Sequence, residues 1–585
     1  MRSTFAGLNT LVRGINANQL SENTVGHNIS NANTEGYSRQ SVNLAAVDAR
    51  KEASIYGQVA VGQGVDSTSL TRARDIYADR QYWSENSTSA YYTSRAKEYD
   101  KIEAIFNDTT LENIQNSLQD FYQAWSSLSA KASDSACRIT VVEKGKVFAD
   151  RIHTAAQKLQ EQIDSNYKDI ELNINRINDY TDQIVQLNKS IMSTEATGGM
   201  ANDLRDQRDL LVDKLSSFVN VNIYEDYNGM YSVVSNGVSL VNGINKLTLE
   251  LSDPITNDTY GINDYTVLLK ESGISYQPTN GTLKAQLDQI EEDKTYIDYL
   301  ANMSAFMLTT FNHQHQQGVG IDSNNETEVN YTASDGDTGT LKVRGTVGQN
   351  FYGWRSTIYS WDDDAKAVKT LTYTDGLTTS LKVESNTDPV TNVTSYATVA
   401  TVAGEGNETK GTLKGIQIIK ELEVNALFSE ENGQNLVAAR TWGTTTGNDN
   451  SEDAVRKPVL NGTGDGTNAV NMSILFNMNQ ENTSIENDTL NVNRSIGTIS
   501  LDAYYNQRMT GLGSDAETMD SKVIAQNEVL VQVEEWRQSV AGVNWNEELT
   551  NMIMFQQGYS ACSRCLTTMD EMLDKLINST GTVGR

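Results

Sequence analysis

The sequence predicts a mainly α-helical chain with β insertions, in which helices at the two ends pair and strand-rich material is carried mid-chain. Three observations lead there. Only four prolines occur in 585 residues, Pro254, Pro278, Pro389 and Pro458, so both ends lack the residue that breaks long helices. A heptad seam of apolar side chains closes the chain. Five isoleucines, Ile163, Ile170, Ile177, Ile184 and Ile191, recur at seven-residue spacing, the period of a left-handed coiled coil within or between chains.

Composition narrows the function classes. Asp and Glu outnumber Lys and Arg by 76 to 46, a formal charge of −30. No basic excess is available to neutralise phosphates, which argues against nucleic acid or an anionic membrane as partner. The opening residues Met1 to Phe5 lack the apolar run of a secretory signal, and no stretch is long and apolar enough to span a bilayer. Cytosolic residence is expected unless the chain leaves by a route without a cleaved signal. Cys137, Cys562 and Cys565 are too few and too scattered for a disulfide framework. Cys562-Ser-Arg-Cys565 has redox-motif spacing, but Cys562 falls on the apolar face of a helix with no βαβ pattern around it.

In chain order, residues 5–29 carry Phe5, Leu8, Leu11, Val12, Ile15, Val25 and Ile29 at helical spacing, with polar Asn18, Gln19 and Glu22 in the second half. The segment Asn28-Ile29-Ser30-Asn31-Ala32-Asn33-Thr34-Glu35-Gly36-Tyr37 reads as a helix stop and a turn, because Asn and Gly tolerate left-handed backbone angles. Residues 77–220 read as helices, reversing at Gly198-Gly199. The string Asn202-Asp203-Leu204-Arg205-Asp206-Gln207-Arg208-Asp209 opens another helix, and its alternating charges read as a solvated face. From Val221 the pattern turns to strands, with a hairpin expected around a type I′ turn at Asn228-Gly229. A helix returns over 282–311. His313 and His315 follow, and without a third nearby ligand they read as a helix end before Gly318 rather than a metal site. Residues 321–470 are rich in Gly, Thr, Asn and Asp with short alternating runs, read as an outward β-rich domain. Helix signals resume near Asn468 and run through Val523, Leu530, Val533 and Val540 to Gly542.

The last helix, Trp545 to about Ile577, carries the seam: Met552, Phe555, Tyr559, Cys562, Leu566, Met569, Leu573 and Leu576. Covering eight such side chains is worth on the order of 10–20 kcal/mol gross. A partner is therefore expected.

The stretch from Asn28 to Arg39 resembles the N-terminal signature of bacterial flagellar axial proteins, the rod, hook and hook-associated group. The stretch Val543-Asn544-Trp545-Asn546-Glu547-Glu548-Leu549 through Phe555-Gln556-Gln557-Gly558-Tyr559 is similar to their C-terminal signature. Two positions depart: Gly558 and Cys562 stand where Ala is commoner, and Gly558 costs about 1 kcal/mol of helix propensity. The Asn202–Asp209 string narrows the resemblance to the hook-associated branch. The resemblance implies a structural subunit, not an enzyme and without cofactor or metal, that joins hook to filament after export unfolded through the flagellar secretion channel. It implies hook protein, the next junction protein, other copies in a ring and a cytosolic export chaperone as partners. The alternatives are another axial protein such as hook protein, or a secreted adhesin or enzyme acting through 321–470.

Four units are expected. A terminal coiled-coil assembly domain takes 1–60 with 541–585. A helical bundle takes 61–225, 282–320 and 471–540. A small β insertion occupies 226–281 and the outer domain 321–470. The expected assembly interface comprises Leu8, Val12, Ile15, Asn28, Asn31, Asn33, Gly36, Tyr37, Met552, Phe555, Tyr559, Leu566, Met569 and Leu573.

Overall fold

Proline-free sequence at both ends becomes long helix. The computed structural model describes residues 5–54, 57–106, 113–321, 326–387, 394–445, 455–477 and 495–579. Helix α1 spans Phe5–Asn31, α2 Ile76–Phe106, α3 Ile114–Ala130, α4 Ser135–Glu195 and α5 Asn202–Ser216. Helix α6 (Thr282–Phe306) passes through a π-helical turn, Met307–Phe311, into α7 (Asn312–Gln317). Helices α8 (Ile416–Glu421) and α9 (Thr467–Asn477) are short, and α10 (Leu501–Ala541) and α11 (Trp545–Ser579) follow. Asp134 and Ser500 cap α4 and α10 by accepting from backbone N–H groups in the first turn. The α4–α5 reversal passes through Gly198 at φ +86°, as its Gly-Gly sequence requires.

The isoleucine repeat packs within the chain. All five isoleucines of the seven-residue repeat, carried on the 61-residue α4, are 0 % exposed. Gln162 and Asn173 bond across to α6, while further along Asn178 and Asn188 bond to Leu249 O and Tyr231 O of the β insertion. Asn178 and Asn188, the latter an interruption of the seam itself, therefore serve as hooks for the strands laid against α4. Asn188 is fully buried.

Residues 40–72 are strands that the pattern does not announce. Gln40–Ala46 pairs antiparallel with Val65–Arg72, with a bulge between Asn43 and Leu44, and Arg50–Ser54 pairs with Gly57–Val61. They stand between the first helix and the bundle, across the expected boundary at 60.

In the insertion, the expected type I′ turn at Asn228-Gly229 is not formed. Glu225 pairs with Tyr231, leaving a five-residue loop in which the Asp226 carboxylate accepts from the Asn228 and Met230 amides. That carboxylate organises a wider turn than two residues would make. The two-residue turn lies one hairpin later, at Asn236 (φ 46°) and Gly237 (φ 78°), joining Ser235 to Val238.

The span 321–470 is β-rich, but its core divides. One sheet, ordered Thr338–Arg344, Glu326–Thr332, Gly376–Thr387, Thr394–Glu405, encloses a small core of its own around Val329, Val343, Leu381, Ala400 and Trp442. The other, Thr357–Asp362, Ala367–Tyr373 and Glu408–Leu413, joins the main helical core. Phe351, fully buried, lies 5.7 Å from the Phe121 ring and 5.6 Å from Phe311, with Phe428 on its other side at 5.1 Å. Part of the expected outer domain is thus bundle interior.

His315 sits beneath this aromatic cluster. It donates from Nδ1 to Gln349 O at 2.8 Å and accepts the Ala438 N–H on Nε2 at 3.0 Å. Both ring nitrogens are used, and burial with Arg138 nearby lowers its pKa to about 4. It is a neutral structural histidine.

Candidate functional site

The two terminal helices lie antiparallel in one fixed register. A Cβ at Gly7 would strike the Met569 methyl, one at Gly14 would lie 3.2 Å from Cys562 Sγ, and one at Gly558 would lie 2.5 Å from Asn18 Oδ1. At the far end the Asn28 amide donates to Glu548 Oε2 at 3.1 Å. Each step forward along α1 is matched by an equal step back along α11. Gly7, Gly14 and Asn28 fall at multiples of seven, with Ser21 completing the column, so small residues let α11 approach closely. Gly558 acquires a reason here: the missing side chain makes room for Asn18, whose amide also holds Gly14 O.

One helix can cover only one side of another. Met552, Phe555, Cys562, Leu566, Met569 and Leu573 are half-covered by α1, as Leu8 and Ile15 are by α11. Val12 stays 42 % exposed, Tyr559 38 % and Leu576 52 %, and Leu20, Leu549, Ile553, Met554 and Met572 add to the uncovered surface. The pair thus presents a broad apolar face that α1 and α11 do not cover for each other. Cys565 is exposed and Cys562 faces Gly14, as a packing residue does. Among the described residues no three His, Cys, Asp or Glu side chains are grouped to hold a metal ion.

At the foot of the pair the turn residues converge. The buried Asn28 side chain donates to Gln40 O and Glu548, and accepts from Gln40 N at 3.0 Å and Tyr37 Oη at 2.8 Å. Arg39 reaches Glu547 and Glu548 of α11, at 2.8 and 2.7 Å, while its N–H donates to Ala541 O. Gly36 adopts φ +77° with Leu210 of α5 3.1 Å from where a Cβ would be, so the position is closed to side chains twice over. Tyr37 stacks edge-on against His27, and burial, aided by Asp203, Asp206 and Glu548, pushes its phenol far above the usual range. Asn31 accepts the Thr34 N–H on its carbonyl oxygen, closing the turn, whereas Asn33 is exposed.

The reading of the Asn202–Asp209 string as a solvated face is overturned. Asn202, Asp206, Asp209 and Asp213 stand at positions i, i+4, i+7 and i+11 of α5, one face of the helix, and none is more than 8 % exposed. Asn202 and the three aspartates form a polar row against which the connectors dock. Asp206 accepts the Ser38 N–H at 2.9 Å and shares Arg72 with Asp209 at 2.7 and 2.8 Å. Arg74 forks onto Asp79 and lies 3.3 Å from Asp209. Arg537 of α10 closes on Asp213 at 2.7 Å, with the Trp83 indole on its other oxygen and the Tyr82 ring beneath the guanidinium. Burial alone would raise Asp209, but Arg74, Arg72 and Arg208 outweigh it and hold it below the carboxylate range. At Asp206 and Asp213 burial wins over the arginines and raises them. Breaking one partner of such a pair costs about 3–5 kcal/mol, because a charge is left unpaired without water. The sequence signal was present, an acidic stripe at the spacing where a bundle helix carries apolar residues.

The helix pair made from both ends of the chain is thus half-covered and pinned to a helical bundle. A family model described as the flagellar hook-associated protein FlgK helical domain matches residues 99–329, and one described as the flagellar basal body rod FlgEFG protein C-terminal matches 538–579. The chain is 26% identical over 591 residues to flagellar hook-associated protein 1 of Bacillus subtilis, covering 100% of both. It is likewise 26% identical to that of Escherichia coli, over 98% of this chain and 99% of the other. The flagellar hook junction protein FlgK from Burkholderia pseudomallei shares the fold, with TM-score 0.53 and 16% identity over 80% of this chain and 100% of that one. The chain is similar to flagellar hook-associated protein 1 along its whole length.

Proposed function

We propose that this chain is a structural subunit of the bacterial flagellum that joins hook to filament and has no enzymatic role. The observation that carries this is the half-covered α1–α11 pair: a seam in fixed register whose outer face stays apolar until another subunit packs on it. On this reading hook protein lies on one side, the next junction protein on the other, and copies of the chain close a ring between them. The protein reaches the cell exterior through the flagellar secretion system, with a cytosolic chaperone covering the α11 seam beforehand. Leu8, Val12, Ile15, Met552, Phe555, Tyr559, Leu566, Met569 and Leu573 make the subunit contacts, while Asn28, Asn31, Asn33, Gly36 and Tyr37 set the pair on the body. The four-unit division retains a terminal assembly domain and a bundle, with the Thr357–Leu413 sheet assigned to the bundle because it shares that core.

The test is electron microscopy of cells lacking the protein, complemented with the native chain or with Leu566→Asp or Leu573→Asp. Hooks without filaments are expected in the null strain and with either variant. Either charge, once buried between subunits, costs several kcal/mol, whereas the bundle melts unchanged. Normal filaments in the null strain would overturn the proposal.

A further inference from the structure

The two sides of the terminal pair are not alike. On α1 the column Gly7, Gly14, Ser21 faces α11, and the residues four and one before Gly14 meet the chain's own hairpin. A Cβ at Gly64 would lie 3.2 Å from Thr10, and Arg13 is 3.9 Å from Asp66. Leu8, Leu11 and Ile15, one or four residues after the column, fall on the opposite side of α1. In an antiparallel pair that side also holds the residues four after the facing positions of α11, which are Tyr559, Leu566 and Leu573. These six line one groove, and each is exposed or half-exposed. The remaining edge of α11 carries a second heptad line, with Met554, Ala561, Cys565 and Met572 all exposed along it.

Neither surface bears charge, although the chain as a whole has a formal charge of −30. Of Asp, Glu, Lys and Arg, α1 holds Arg13 and Glu22 alone, and from Thr550 to Thr568 α11 holds Arg564 alone. Identical acidic bodies repel one another, so copies meet at least electrostatic cost through these neutral surfaces. Which surface meets which follows from closure. Groove against groove would be self-complementary and would end as a two-fold pair. Edge against groove leaves every copy one surface to give and one to receive, the head-to-tail contact that closes into a ring.

We propose that the α11 edge of one copy, from Met554 to Met572, lies in the α1–α11 groove of the next copy, joining subunits head to tail. This rests on the subunit reading above and divides its contact surface into a part that inserts and a part that receives. Ala561 and Cys565 are small enough to let the neighbouring helices approach closely. Met554 and Met572, unbranched and adaptable, fill the groove at either end. The hairpin at Thr10 and Arg13 closes the other side of α1, so the pair offers one groove and not two.

The experiment expresses two differently tagged full-length copies together in cells lacking the protein, both with Cys137→Ser and Cys562→Ser. One keeps Cys565 as its only thiol. The other carries Cys565→Ser with Leu8→Cys, Leu11→Cys or Ile15→Cys in turn. A short bismaleimide applied to isolated hooks should link the two tags to each other and neither tag to itself. Links within one tag overturn the head-to-tail arrangement, and no link from any of the three groove positions overturns the contact. If the thiol variants do not assemble, Ala561 decides. Ala561→Glu should abolish filaments with melting and secretion unchanged, while Ala561→Ser restores them; normal filaments with Ala561→Glu overturn the proposal. The null strain keeps the two readings apart. Normal filaments there sink the junction role itself, whereas bare hooks there, with tags unlinked in the complemented cells, sink only the head-to-tail contact.

Discussion

Asn28 uses one side chain for four hydrogen bonds, which tie the end of α1 to Gln40 beyond the turn, to Tyr37 within it and to Glu548 at the start of α11. Glu548 is buried and its other oxygen belongs to Arg39. Arg39→Ala would leave that carboxylate with a single amide donor, a loss of about 3–5 kcal/mol at a buried pair. The expected outcome is local: hydrogen exchange at the foot of α1 and α11 accelerates by orders of magnitude while α4 amides keep their protection. Global destabilisation instead would mean that the pin belongs to the bundle. A second prediction at this scale concerns His315, whose folded pKa, about 4, lies below its ordinary value. The folded chain binds fewer protons than the unfolded chain, so this stabilisation is present above about 6.5 and lost as pH falls toward 4. His315→Gln should flatten the acid limb of a stability profile while leaving the limb above neutrality unchanged.

Among the elements, the terminal pair makes the sharpest geometric claim, because its register can be read by cross-linking. In a Cys565→Ser background, Gly14→Cys should oxidise readily with Cys562, since a Cβ there already lies 3.2 Å from the sulfur. Ser21→Cys reaches Cys562 only if the helices slip by a heptad, and should stay reduced. Comparable yields from both positions would mean the pair slides. Much of this was legible in sequence. The seam from Met552 to Leu573, the isoleucine repeat and the Gly198-Gly199 reversal are periodic or chemical signals that survive without knowledge of neighbours. The α5 carboxylates carried a spacing signal but not their burial, because the same Asp residues read as solvated until Arg72, Arg74 and Arg537 arrive from segments distant in sequence. The hairpins of 40–72 escaped for another reason: strands of five to eight residues carry too few alternations to stand out beside long helices.

At the scale of the whole molecule, what divides the chain is which core a segment shares, not where its composition changes. The composition of 321–470 is uniform, yet Phe351, Tyr352 and Phe428 lie in the main core with Phe121 and Phe311, while Leu381, Val383 and Ala400 line or border the small separate sheet. Excising that whole span would therefore remove bundle interior, and Phe351→Ala alone should cost about 3–5 kcal/mol. The long hairpin is different. Its strands run as an antiparallel pair from Gly376 to Glu405, but beyond Val383 opposite Thr398 the described side chains are exposed or half-exposed and contribute to neither core. Rejoining Val383 to Thr398 through Asn-Gly preserves the register with a turn suited to tight hairpins. The shortened chain should melt with the native one, be secreted and restore filaments and swimming to cells lacking the protein. Thermal melting and motility of the same strain decide between two roles for this arm. Intact melting and secretion without filaments would make the outer hairpin part of the joint, whereas a lowered melting point would mean that the small sheet depends on its full length.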